Sequence, residues 1–326
     1  MRTFAGLSSI ILSTFLLAAV PASAQEAISL TFDWEPGLRA VVTQTMDQAS
    51  GTAGMTMEQR TVARHTLETA EHPRGLVIRF RDGELIESAA PTLQGVPGAE
   101  AFTRTIAEAP YDVIVDDEGE LLSIERDEAT MRDLEVALSE MLEPLRAMPG
   151  AAGMTGMLEG MISDAALNAE AEQNWSSSVG LWTGDELVVG ETYTSREEAP
   201  FPMMENRTLI MDLETTLEGR VPCTEGASAD SCVRLVVRSA ADPEDIRAMM
   251  EEMFAEMFAG GGMEMQIELG EFEQSSVVEA VIEPETLLPH TITVRSDADI
   301  EVTVMGQTMP TVQESVMVVR YDWQIR

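Results

Sequence analysis

The chain has 326 residues, a formal charge of −37 and a hydrophobic fraction of 44%. That apolar content is enough for a packed core, so the acidity marks a charged surface rather than disorder. A surplus of negative charge on this scale repels phosphate, which excludes nucleic acid and anionic membrane surfaces as partners.

The first residues read as an export signal over Met1 to Ala24. Arg2 supplies the positive start, Ile10 to Val20 the apolar run, and Ala22-Ser23-Ala24 the small-residue cleavage site. The run is shorter than the roughly 20 residues that span a bilayer. A periplasmic chain beginning at Gln25 is expected, with no stable membrane insertion. No lysine occurs; every basic residue is arginine.

Most of the chain beyond Gln25 alternates with the period-two pattern of antiparallel strands. Ile28, Leu30, Phe32 and Trp34 alternate with Ser29, Thr31 and Asp33. Strands are expected at Leu38 to Met46 and Met55 to Thr69. Arg81-Asp82-Gly83 reads as a hairpin turn between two short strands, and Asp117-Glu118-Gly119 as another. Asp127 can cap a helix carrying Met131, Leu134, Leu138, Met141, Leu142 and Leu145 at helical spacing. Pro144 falls in its last turn. A Gly- and Ala-rich stretch comes next, with Met154, Met157, Leu158, Met161 and Ile162 on one face. Leu213–Val221 and Val233–Arg238 flank a polar loop.

A second helix starts at Asp242, with Pro243 in the first helical position and Glu244 and Asp245 at the positive end of its dipole. Ile246, Met249, Met250, Met253, Phe254, Met257 and Phe258 form its apolar stripe. Strands resume at Met265 to Leu269, Ser276 to Ile282, Thr291 to Ser296, Ile300 to Met305 and Val312 to Trp323. Loops are expected at Pro284, at Asp297–Asp299 and at Gly306–Pro310. The reading is an α+β chain, mainly antiparallel β. A large curved sheet or half-barrel forms one domain over 25–326, with helical inserts at about 127–171 and 243–259.

Chemistry is harder to find. Cys223 and Cys232 enclose eight polar loop residues, and an oxidising compartment makes them a disulfide. Such a bridge contributes about 2–3 kcal/mol in the chain-entropy model. His65, His72 and His290 are expected at the surface, and no zinc spacing such as H-E-x-x-H occurs. Nucleophile motifs and phosphate loops are absent, so no catalytic residue and no cofactor is assigned. Asp116-Asp117-Glu118-Gly119-Glu120 lacks the alternating ligand spacing of a calcium loop.

Methionine is the unusual signal: there are 22. Their thioethers could select Cu(I), pack as hydrophobic stripes, or give a pliable lining for an apolar ligand. Met249, Met250, Met253, Phe254, Met257, Met154, Met157 and Met161 are the candidate lining.

The order of export signal, long meander, Met-rich helical inserts and final strand run resembles the periplasmic lipoprotein-carrier half-barrels. It also resembles other exported β-rich families of Gram-negative bacteria. The segment Val281-Ile282-Glu283-Pro284-Glu285-Thr286-Leu287-Leu288-Pro289 is similar to their hairpin connections. The resemblance implies a concave sheet that accommodates an apolar ligand such as lipid, and it assigns no residue roles. Two other readings stay open: a Cu(I)-binding Met-rich protein, and an envelope assembly partner with no small ligand.

Overall fold

The computed structural model describes residues 26–324, apart from 53–54, 90–97, 147–154, 156–162, 201–207, 228, 260–266 and 305–306. The expected export signal lies outside the described residues.

Eleven antiparallel strands form one open, curved sheet. In chain order they are β2 (Arg39–Thr52), β3 (Met55–His72), β4 (Gly75–Ala89), β5 (Tyr111–Val115) and β6 (Leu121–Glu125), then β8 (Thr192–Pro200), β9 (Thr208–Val221), β10 (Cys232–Ala241), β11 (Ile267–Ile282), β12 (Pro289–Val304) and β13 (Gln307–Trp323). The spatial order is β6-β5-β4-β3-β2-β13-β12-β11-β10-β9-β8. Two meanders are therefore joined where the first long strand meets the last one. Trp323 pairs with Ala40 and Thr311 with Thr52 across that seam. Short strands β1 (Ala27–Ser29) and β7 (Glu186–Val188) pair separately.

Among the described residues, the helices between the strands are α1 (Ala99–Glu108), α2 (Glu128–Arg146), α3 (Asp164–Ser178) and α4 (Pro243–Ala259). The caps obey the expected chemistry. Asp127 Oδ1 accepts from the Thr130 amide at 2.7 Å, and Asp242 Oδ1 from the Glu244 amide at 3.0 Å. Pro144 sits inside α2. Helix α1 is not among the expected elements. Its end abuts β4 so closely that a Cβ on Gly83 would meet the Glu108 Cα at 2.6 Å.

The core lies between one end of the sheet and a covering layer. Ile28, Leu30, Phe32 and Trp34 alternate into it as their spacing suggests, but only Ala27–Ser29 is a paired strand. Beyond it, the amides of Leu30, Thr31 and Asp33 bond to the loop carbonyls of Asp185, Pro284 and Thr286. Trp175 of α3 and Trp182 of the 3-10 turn Gly180–Trp182 complete the layer. Trp175 Nε1 donates to the Gly119 carbonyl at 3.2 Å, which docks α3 on the β5–β6 turn. Gly119 is required there: its φ is +86°, and a Cβ would meet the Phe32 ring at 2.6 Å. Arg126 bonds to Asn168 Oδ1 and the Leu167 carbonyl and lies over the Tyr111 ring, a second clamp on α3.

Three expected breaks are continuous strand. Asp82-Gly83 is a bulge in β4 rather than a hairpin: Arg64 pairs with Glu84 and Thr66 with Arg81, so two residues oppose His65 alone. Asp82 takes φ 51°, a conformation that aspartate tolerates. Asp297 and Asp299 lie exposed within β12, where water solvates the carboxylates without breaking the ladder. Gln307 to Pro310 belong to β13, and Val304 pairs with Gln307 at the hairpin end. The helical residues of the first insert run on to Ser178, past the expected limit near 171.

Candidate functional site

Strand parity decides which side chains reach the concave face. Val42 and Gln44 of β2 point inward. Their register partners on that face are His65 and Ala63 on β3, and Tyr321 and Val319 on β13. Phe80 and Val113 continue the face on β4 and β5, and Ile292 on β12. Helix α3 crosses above them and presents Ala171, Asn174, Trp175 and Ser178, one side of the helix at spacings of three and four.

Between α3 and the sheet lies a pocket of about 660 Å³, its open mouth included. Val42, Phe80, Val113, Ile292, Met317 and Val319 make its walls mainly apolar. The enclosed part of this space is about 80 Å³, and the remainder opens to solvent.

The polar groups in this pocket are uncharged. Gln44 Nε2 donates to the Met317 thioether at 3.1 Å, which leaves its amide oxygen as an acceptor. The Ser178 hydroxyl donates to the Asn174 carbonyl at 2.7 Å, and that of Ser177 to the same carbonyl at 3.2 Å. His65 Nδ1 is buried with no hydrogen-bond partner among the described residues. Burial pushes its imidazole below the ordinary value, so the ring is neutral at pH 7. Burial also pushes the Tyr321 phenol above its usual value. No Asp, Glu or Arg lines the pocket among the described residues.

Two of the three histidines depart from the surface positions expected of them. His65 is half-buried in this pocket, and the His290 side chain is only 13% exposed. His290 Nε2 lies 2.9 Å from Glu283 Oε1, and this contact holds the carboxyl below its usual value despite partial burial. Cys223 and Cys232 form the expected disulfide, with Cα atoms 5.0 Å apart. Their sulfurs and a His290 ring nitrogen lie within 4.8 Å of one another. The sulfurs are bonded to each other, so neither is a thiolate ligand here. Asp116 Oδ1 accepts the amides of Glu118 and Glu120, so it is occupied in building the hairpin turn.

The candidate methionines divide. Met249 and Met250 of α4 pack with Leu209, Ala241, Ile246, Met211 and Phe272 in a separate cluster near β9 and β11. They do not line the pocket under α3. Met253, Phe254 and Met257 lie on α4, with side chains outside those described; Met154, Met157 and Met161 lie outside the described residues. Among the described residues the pocket's one methionine is Met317, which its local sequence does not single out. The available signals are the alternation of β2 and β13 and the i, i+4, i+7 row Ala171, Trp175 and Ser178 on an otherwise polar helix.

No family model matches the chain, and no curated protein does. Among solved structures, one of lipovitellin and its lipid–protein interactions has a TM-score of 0.43 at 9% identity. The match covers 90% of this chain and 26% of the lipovitellin chain, so this chain spans about a quarter of that protein. An outer membrane channel from Pseudomonas putida F1 aligns over 89% of this chain and 97% of its own, at 8% identity and a TM-score of 0.20. These likenesses are too distant to bear on function. No helix among the described residues is long and apolar enough to cross a membrane, which leaves open what strands could do.

Proposed function

We propose that this chain is an exported, single-domain binder of an apolar small molecule such as a lipid, held between the concave sheet and α3. The supporting observation is the open pocket itself, with about 80 Å³ enclosed, walled by Val42, Phe80, Val113, Ile292, Met317 and Val319 at the margin of a core already excluded from water. A disulfide and an N-terminal segment of signal-peptide type support export to the periplasm. Burying an alkyl group against such walls gains about 25 cal/mol per Å² of apolar surface removed from water.

Titration with the neutral fluorophore N-phenylnaphthylamine tests this reading. Saturable binding is expected, weakened at least about tenfold by Met317→Trp, which places a bulky ring in the pocket. A linear, non-saturable response, or a Met317→Trp variant that binds as tightly as wild type, would overturn it.

A further inference from the structure

The concave face is segregated by charge as well as by polarity. In register, Gln59, Gln48, Ser315, Ser296, Ser276 and Ser239 form one straight row across β3, β2, β13, β12, β11 and β10. They share the parity of Gln44 and Val319, so the row lies on the pocket's face of the sheet. One level nearer the core, the matching row reads Thr61, Met46, Met317, Val294, Val278 and Val237, about 7 Å away along the strands. The opposite face of the same strands carries the ions. Asp47 binds Arg60 there at 2.8 Å, and Arg295 pairs with Glu279. In a chain of charge −37, an apolar level bordered by six uncharged polar residues is a selective composition.

Resting on the binding role proposed above, we infer that the occupant is an uncharged amphiphile. Its alkyl part lies over the apolar level, and a hydroxyl or carbonyl group bonds His65 Nδ1 and the Gln44 amide. Two effects compete over the head group. The protein's field attracts cations and repels anions, but exposed charges are screened within about 10 Å at 0.1 M salt. Bringing an ion beside Val42 and Ile292 without a counter-ion strips its hydration with nothing to replace it, so desolvation outweighs the screened field for either sign. A neutral hydroxyl avoids that cost and satisfies a buried nitrogen that has no partner among the described residues. His65 offers one donor or acceptor according to tautomer, which suits a group that can be either. The bulge of Asp82 and Gly83 opposite His65 interrupts the ladder at this level.

The test is displacement of N-phenylnaphthylamine from the exported chain at neutral pH by dodecanol, dodecanoate and dodecylammonium, which share one alkyl length and differ in head charge. Dodecanol is expected to compete at concentrations about tenfold lower than either ion. His65→Leu should remove most of that advantage, read as the ratio of dodecanol to ion displacement within the variant itself. His65→Gln, which keeps a neutral hydrogen-bonding group, should retain it. Dodecanoate or dodecylammonium competing as well as dodecanol would overturn the inference, as would His65→Leu and His65→Gln both leaving the head-group ratio unchanged. Failure of the fluorophore itself to bind is a different result: it removes the binding role, and this inference falls with it.

Discussion

The two ends of the great sheet are built from the same strands and differ in what lies over them. At one end Leu67, Ile78, Leu217, Leu235, Ile282 and Ile292 are buried beneath the N-terminal segment, α3 and Trp182. At the other end no residue of 43–51, 56–62, 272–279 or 293–301 is buried, and among the described residues only Leu209 and Ala241 on β9 and β10 are covered there, by α4. The inward positions change accordingly, from aliphatic to Met and Val and then to Gln and Ser. Backbone pairing continues through both ends, so the ladder alone does not make a core. Burial under the covering layer supplies the stabilisation, and the pocket sits where that layer stops.

Removing one side chain from each end separates the two most clearly. Trp182 is fully buried, and Trp182→Ala should cost about 3–5 kcal/mol in urea unfolding. Ser296→Ala at the open end should change stability by less than about 0.5 kcal/mol. Comparable losses at both sites would mean that the open end is covered by something after all. Next in size is the disulfide, which ties β9 to β10 at the covered end. The Cys223→Ala, Cys232→Ala double variant should lose about 2–3 kcal/mol, read as a lower midpoint of unfolding.

Much of the covered end is legible in the sequence. The Ile28 to Trp34 alternation marks its buried face and Asp127 a helix start, while Asp242 marks the start of α4 at the far end. The errors come from reading turn chemistry locally. Asp82-Gly83 and Asp297–Asp299 look like turns, but a long partner strand on each side holds them in the ladder. The pocket is less legible because its walls come from residues as far apart as Val42 and Val319, and only strand register brings them together. His65 looks like a surface residue because nothing in its neighbourhood announces α3 overhead. The methionines of α4 draw attention by number, yet Met249 is simply part of a second hydrophobic cluster.

A smaller effect concerns the loop beside the disulfide. Glu283 has an ordinary carboxyl value of 4.5 and is held below it, first by its hydrogen bond to His290. Its folded value is depressed, so its contribution is present above the unfolded value and is lost as pH falls through the folded one. Wild type should therefore exceed Glu283→Gln in stability near neutral pH, and the gap should close as pH drops below about 4. Unfolding midpoints measured across that range check the sign; a gap that widens toward acid would contradict the pairing.

Everything functional proposed for this chain rests on an apolar molecule occupying the uncovered margin of the core. Native mass spectrometry of the chain purified from its own host looks for that molecule itself, with wild type and Met317→Trp prepared side by side. An added small-molecule mass is expected on wild type and should be depleted in the variant. A bare wild-type mass, or an adduct retained equally by both proteins, would contradict the binding role.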